Sequence, residues 1–448
     1  MSTARVVIAG AGLAGLTAAR YLERAGAEVT VVEARDRVGG RVHTIRGFEG
    51  GQHAEAGADL IEAEQSHVLD LASELGLGTT RILRSGWGFY GSSNGGGKKI
   101  RSAPDTFERA AERLGPEIAA FKASDRRWDS GVGQWLGRQS VADWLKDSGA
   151  DTDLSAGLRG LRGFFLADPE VLSLLQLVDQ FASDEIPGEG RMYRLRDGND
   201  ALPAALAAGL RGRIVLSAVV KRVVRRGTRL RVAIDDGRLR ELGADYLVMA
   251  LPASTLKNVV VLPSLPEEQW RAITKLRYGP ATRVLLQFDR RFWQRFGRPS
   301  AYGSDQEFGA VWDANEQQRG KAGILSLLAG GNAARDLRAL IRRRGWPGLV
   351  RRLSWLGRPA RLLYATTVAW DRDPWARGGY AVFDPGFDPT LRSWLSRPAG
   401  PIVFAGEHTS DRGQGYMNGA IESGKRAAVE VATRAGLDYR AIVMERPA

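Results

Sequence analysis

None of the 448 residues is cysteine, and only four are histidine. The first absence excludes disulfides, zinc–thiolate centres, cysteine nucleophiles and thioether-linked cofactors. The second argues against a protein-held metal. No run approaches the roughly 18 unbroken apolar residues that a membrane helix needs. The strand-like RVVIAGAG that starts at Arg5 leaves no room for a leader peptide. A soluble, cytoplasmic protein without a membrane partner is therefore expected. Internal repeats and long low-complexity tails are also missing. Positive charge, by contrast, is plentiful, with 64 Lys and Arg against 51 Asp and Glu, a formal net charge of +13. It is spread along the chain, densest at Arg222, Arg225 and Arg226, at Arg342 to Arg344, and at Arg351 and Arg352. No zinc finger, RNP-type motif or helix-turn-helix accompanies these clusters, so nucleic acid is not an expected partner. Most of them read as solvated faces, and an anionic substrate or an acidic carrier is the best use for the excess. With 44% hydrophobic and 26% charged residues the chain is an ordinary globular one. Its length suits two or three domains.

The first forty residues carry the strongest signal. Arg5 to Ala9 is a short β-branched run that ends in Gly10-Ala11-Gly12-Leu13-Ala14-Gly15. An Ala/Leu-rich helical pattern follows from Leu16 to Ala25, with Gly26 as its stop, and a second strand, Glu28 to Val32, leads to Glu33. Strand, G-x-G-x-x-G, helix, strand and acid form a dinucleotide-binding fingerprint in its expected context. Gly10 permits the tight turn, Gly12 admits a pyrophosphate to the backbone N–H groups, and Gly15 lets helix and strand pack closely. The helix N-terminus favours the anion. Glu33, 18 positions past Gly15, is placed to accept hydrogen bonds from ribose hydroxyls and disfavours a 2′-phosphate.

The next segment, Glu33-Ala34-Arg35-Asp36-Arg37-Val38-Gly39-Gly40-Arg41-Val42-His43-Thr44, resembles the glycine-doublet extension of the flavin-containing amine oxidase superfamily, and the resemblance runs along most of the chain. Ala56-Gly57-Ala58-Asp59-Leu60 looks like the segment passing the flavin ring. Leu195 to Leu202 is similar to the family's glycine-bearing turn before a helix, and the stretch around Val220 to the strand whose backbone holds adenine. Tyr246 to Pro252 looks like the strand returning to the cofactor domain. Ile402 to Thr409 reads as a buried strand ending in Gly406 and Glu407, and the last helix opens at Gly415-Tyr416-Met417-Asn418-Gly419-Ala420.

The resemblance implies an α/β, two-domain, FAD-binding Rossmann-type fold (GR2-like), with a substrate domain of mixed sheet plus helices. Residues 1–80, 191–270 and 396–436 would form the FAD domain. Residues 81–190 and 271–395 would form the substrate domain, and 437–448 a C-terminal tail. Helical patterns over Asp105 to Lys122 and Val171 to Ala182 suit a helical cap, and Arg283 to Phe288 a strand over the flavin. The polar stretch Gly91 to Gly97 reads as a hairpin or loop.

Amine oxidation by FAD asks little of side chains, which must hold the flavin, orient a C–H bond and favour the neutral amine. By the resemblance, Tyr416 and Tyr380 are the two aromatic walls and Trp370, ten residues before Tyr380, lies against the flavin. Arg41 adds a cation for the phosphates. Gly379 occupies the position at which membrane-bound relatives carry the flavin-linking cysteine, so the FAD should be non-covalent. Arg283, ten residues before Trp293, replaces the family's lysine. It is open to three readings, namely a plain cation swap on a partly exposed strand, a brake on oxygen use, and a grip on an acidic group. His43 should be structural or lie near the cofactor, and His408 should lie near the flavin without acid–base duty. Glu62 and Glu64 could face a cavity. Trp87, Phe89, Tyr90, Phe164, Phe165, Phe181, Phe308 and Trp312 are candidates for a substrate path, each more readily core than site.

The expected activity is oxidation of a C–N bond in an amine-type substrate, with O2 or another acceptor taking the electrons. Within the fold the rivals are an L-amino-acid oxidase, a desaturase, and a tailoring enzyme acting on an amide or amine. A redox-inactive flavin-binding scaffold is the alternative of another class. An NAD dehydrogenase is disfavoured by the glycine doublet. A homodimer stays open.

Overall fold

The computed structural model describes residues 3–94, 96–182, 191–227 and 229–440. Gly95, in the expected Gly91–Gly97 loop, and residues 441–448 of the expected tail lie outside them. Among the described residues the strand Arg5–Ala9 sits at the centre of a five-stranded parallel sheet. Its order is Arg213–Val215, Glu28–Val32, Arg5–Ala9, Tyr246–Met249, Ile402–Phe404. Parallel strands need helical crossovers and burial on both faces, which is why these segments read as continuous Val/Ile/Leu runs. The helix Leu13–Arg24 covers one face together with the last helix, Met417–Ala435. Leu16, Leu22, Val31, Val248, Val403 and Ile421 meet there in one buried cluster. Each such side chain contributes about 1.5–3 kcal/mol by leaving water.

A second, seven-stranded mixed sheet runs in the order Leu362–Ala369, Ala281–Phe288, Gly323–Gly330, Ala310–Asp313, Ala301–Ser304, Trp87–Ser92, Lys98–Ser102. Every residue of Ala281–Phe288 is shielded from water, as in Ala301–Ser304 and Ala310–Asp313. Short helices from Ala103 to Phe181 stand beside this sheet.

Local differences from the sequence reading have local causes. The first helix begins at Leu13 and not Leu16, because Gly12 already has N-cap geometry. The span Asp105 to Lys122 is two helices, Ala103–Arg113 and Gly115–Ala123. Pro116 carries no N–H to continue the first helix and is tolerated in the first turn of the next, so the run is interrupted at Leu114 and restarts at Gly115. The second cap helix is shorter than expected, Leu174–Phe181, and starts where the Ser173 hydroxyl accepts the Leu175 N–H at 3.2 Å. Gly91 and Ser92 belong to a strand paired with Lys98–Ser102, so the described residues flanking the polar stretch form a hairpin pair.

Candidate functional site

The two sheets enclose a cavity of about 1280 Å³. Almost every expected cofactor contact lines it: Gly10, Gly12, Ala14, Glu33, Ala34, Arg35, Gly39, Gly40, Arg41, Gly57, Ala58, Asp59, Leu60 and Val220 from the first half of the chain, then Gly406, Glu407, Gly415, Tyr416, Met417 and Ala420. Gly15 does not line it. A Cβ there would overlap the Gly10 carbonyl oxygen, so this glycine serves packing. The Glu33 carboxylate is buried and accepts the N–H groups of Ala11 (2.8 Å) and Arg35 (2.9 Å). The glycine doublet is stitched to the first turn, since Gly39 N–H donates to the Ala11 carbonyl at 2.8 Å. Arg35 forms a bidentate pair with Asp373, 2.7 Å on both arms.

Arg41 was expected on phosphates. Here its NH1 group binds the Gly379 carbonyl and pairs with Glu407 at 3.0 Å. Burial pulls its pKa down, but Glu407 and Tyr278 outweigh that and hold it above the usual arginine value. Glu407 also accepts the N–H groups of Gly415 (2.8 Å) and Ala381 (3.3 Å). One buried carboxylate thus joins the doublet, the Tyr380 segment and the entry to the last helix. That helix starts at Met417, two residues later than expected, because Gly415 has φ +83° and Tyr416 is extended.

Trp370 Nε1 donates to the Ala56 carbonyl at 2.9 Å, and a Cβ on Gly57 would meet its ring at 3.1 Å. The Tyr380 hydroxyl donates to the Phe164 carbonyl, and a Cβ on Gly415 would touch the Tyr380 ring at 3.4 Å. Burial and Glu407 raise the Tyr380 pKa against the opposing charge of Arg283, so the phenol stays neutral. Tyr380, Tyr416 and Trp370 all line the cavity. Gly379 has no room for a side chain as the chain stands, because a Cβ would overlap Leu166.

Arg283 is not on a partly exposed strand. It is 4% exposed, with NH1 on Ser326 Oγ at 2.7 Å and NH2 on the Gly57 carbonyl at 2.8 Å. Asp59 lies 3.6 Å from NH1, and the guanidinium stands 4.6 Å over the Trp312 ring. Burial lowers its pKa, and Asp59 opposes the shift. Asp59 in turn accepts the Arg194 guanidinium and Trp312 Nε1, the latter at 2.8 Å. Arg194 and Trp312 stand 135 and 253 residues from Asp59, and no local pattern marks their partnership.

Among the candidate aromatics, Trp87, Phe89, Phe164, Phe165, Phe181 and Trp312 line the cavity. Tyr90 and Phe308 do not. Tyr90 stacks on Trp355 at 3.9 Å, and both join the core under the seven-stranded sheet. Glu62 and Glu64 line the cavity. His408 also lines it, buried, and desolvation lowers its pKa to about 4, so it is neutral. His43 lies outside it, in a side cleft with Arg35, Arg37 and Trp370.

The sequence model of the flavin containing amine oxidoreductases matches residues 13–432. The chain is 31% identical over 462 residues to the provisionally assigned flavin-containing monoamine oxidase AofH of Mycobacterium tuberculosis, covering 96% of this chain and 97% of that one. It is 30% identical over 468 residues to the flavin-dependent L-tryptophan oxidase RebO of Lentzea aerocolonigenes, covering 94% and 96%. In three dimensions it resembles cyclohexylamine oxidase from Brevibacterium oxydans, with a TM-score of 0.85 at 23% identity over 97% and 100% of the two chains. Among the described residues no helix is long and apolar enough to cross a membrane.

Proposed function

Because this chain belongs to the family of flavin-containing amine oxidoreductases, we propose that it is an FAD-dependent enzyme that oxidises the C–N bond of an amine-type substrate. The observation that carries the reading is the single cavity, which runs from the Gly10–Gly12 turn to Tyr380 and Tyr416. At about 1280 Å³ it exceeds the roughly 300–1,000 Å³ typical of one small ligand, and has room for a large cofactor and a substrate. The residues present fit FAD. Gly12 faces open space, where a Cβ would meet nothing within 4 Å, so its backbone is bare towards the cavity. Gly10, Gly12, Gly39 and Gly40 would hold the pyrophosphate, Glu33, Ala34 and Arg35 the ribose side, and Val220 the adenine. Gly57 to Leu60, with Gly406, Glu407, Gly415, Met417 and Ala420, would hold the flavin half. The strands of the parallel sheet all fall in 1–80, 191–270 and 396–436, and those of the seven-stranded sheet in 81–190 and 271–395. We read these as the cofactor and substrate domains.

FAD, when bound, accepts a hydride from the carbon beside the substrate nitrogen, leaving an imine that water hydrolyses. The chain supplies placement. Tyr380 and Tyr416 orient the amine, and their rings favour its uncharged form. Trp370 is locked by Ala56 against the Gly57 segment. Arg283 keeps a fixed positive charge there, because Asp59 compensates it and arginine does not release its proton at working pH. Its fork is already given to Ser326 and Gly57, which favours a slowed reaction with oxygen over a grip on a substrate oxyanion. O2 or another acceptor completes the cycle. The test is anaerobic bleaching of the flavin absorbance across a panel of amines, amino acids and polyenes, followed by mixing with air. Bleaching by amines and slow return of the yellow colour are expected. Bleaching by none of them would favour the redox-inactive scaffold, and bleaching by polyenes alone a desaturase.

A further inference from the structure

Beside Trp128 the cavity has a polar corner, lined by Arg126, Gln176, Asp179 and Arg392, that no assignment to cofactor or amine uses. Arg392 is 8% exposed and stacks its guanidinium 4.0 Å over Trp128, with Phe383 at 4.8 Å. Its NH2 group donates to the Ser410 and Asp411 carbonyls at 3.2 and 2.8 Å. Its NH1 group is buried and has no hydrogen-bond partner among the described residues. A buried charged donor left unpaired is costly, so native structures seldom keep one without a use. Burial also lowers the Arg392 pKa.

Two neighbours are arranged in the same way. The Gln176 carbonyl accepts the Phe383 N–H at 2.9 Å, which fixes the amide and leaves its NH2 group over. Arg126 gives Nε and NH2 to Asp179 at 3.2 and 2.7 Å, and Asp179 is further occupied by Trp128 Nε1 at 3.2 Å. The Arg126 NH1 group is left over. Phe383, Trp128 and Asp179 join these residues into one contiguous cluster. With exposed Arg412 and Asp411 also on the cavity wall, the corner holds Arg126, Arg392 and Arg412 against Asp179 and Asp411, an excess of one positive charge.

We propose that this corner is an oxyanion subsite that receives a carboxylate carried by the substrate away from its nitrogen. Three donors, each anchored on its far side by the protein, suit a planar acceptor with two oxygens. The Trp128 ring offers an apolar face beside it. The inference rests on the amine-oxidation reading for the other end of the ligand, but its test does not need turnover. Binding of 4-phenylbutyrate and of its neutral isostere 4-phenylbutyramide to the FAD-loaded protein would be measured by calorimetry. The carboxylate should bind about 10-fold tighter or more, the ratio expected of a charge-assisted hydrogen bond. Arg392→Gln should bring that ratio close to one with the amide's affinity unchanged. Gln176→Leu, which leaves the stacked guanidinium alone, should cost the carboxylate about 3-fold and the amide nothing. It decides the question if the arginine variant does not fold. Equal binding of the two compounds to the wild-type protein, or a preference that survives Arg392→Gln, would overturn the proposal. Failure of every amine to bleach the flavin would sink the functional reading and leave this ratio interpretable.

Discussion

Gly12 and Gly15 lie three positions apart in one motif and answer to different constraints. A Cβ on Gly15 would overlap the Gly10 carbonyl oxygen, whereas one on Gly12 would meet nothing within 4 Å. Gly12→Ala should therefore fold normally, with a far-UV spectrum and apoprotein melting point close to wild type, yet retain little FAD. Gly15→Ala should lose stability first, by about 1–3 kcal/mol or more. Full flavin retention in Gly12→Ala would remove the pyrophosphate from that turn. Glu55 gives a pH-dependent expectation. It is buried, accepts the Thr44 hydroxyl at 2.8 Å and the Asn199 N–H at 2.9 Å, and faces Asp59. Burial first, and then the Asp59 charge, pushes its carboxyl from 4.5 up to about 8. Across that window the folded state holds a proton that the unfolded state has released. This share of stability is full below about pH 4.5 and is lost as pH rises through about 8. His408 acts with the opposite sign, but only between about pH 4 and 6.5. Melting followed from about pH 6.5 to 9 avoids the His408 window, and the difference between wild type and Glu55→Gln reports Glu55. Wild type should lose about 2 °C relative to Glu55→Gln over that range, and parallel curves would mean that Glu55 is already ionised in the fold. Glycines and acids with local duties were legible in the sequence because their neighbours in the chain define them. Glu55, Arg194 and Arg392 were not, because their partners are brought to them only by the fold.

At the scale of elements, the helices Leu13–Arg24 and Met417–Ala435 come from opposite ends of the chain and pack side by side, with both N-termini opening on the cavity. Their approach depends on Gly424, where a Cβ would overlap the Ala14 carbonyl oxygen and lie 2.9 Å from Thr17 Cβ. Two N-termini held together concentrate positive potential where a dinucleotide's anionic groups belong. Gly424→Val should push the first helix off, lowering stability by about 1–3 kcal/mol and releasing flavin at a lower temperature. A melt and a flavin release indistinguishable from wild type would mean that the contact is slack. Four of the five parallel strands were readable because each is a short apolar run between turn residues; the edge strand Arg213–Val215 was not. Most of the seven-stranded sheet was not. It sets Trp87–Ser92 parallel to Ala301–Ser304, more than 200 residues away, and neither periodicity nor turn chemistry encodes such a pairing. The helical pattern read over Asp105 to Lys122 is divided at Leu114, just before Gly115-Pro116, where the apolar spacing continues although the backbone is interrupted.

For the whole molecule, composition announced the charge but not its use. The net +13 suggested partners, while the cations nearest the chemistry, Arg41, Arg194, Arg283 and Arg392, are buried or largely so and engaged with acids, carbonyls or rings. The absence of cysteine is the more consequential whole-chain property. Gly379 cannot carry a thioether, and a Cβ there would meet the end of the Leu166 side chain; we propose that the flavin is held by contacts alone. Those contacts come from Gly10–Arg41, Gly57–Leu60, Val220 and Gly406–Ala420, segments that span most of the chain and meet only in the folded state. Cofactor binding and global stability must then be linked. A ligand that binds only the folded form stabilises it by about 2.7 kcal/mol at a hundred times its dissociation constant. The melting temperature should therefore climb with added free FAD, well beyond one equivalent. After acid precipitation the yellow colour should remain in the supernatant. Flavin carried down with the pellet, together with a melting point indifferent to free FAD, would require a covalent bond, and with no cysteine in the chain that bond would have to be made by one of the four histidines or by a tyrosine.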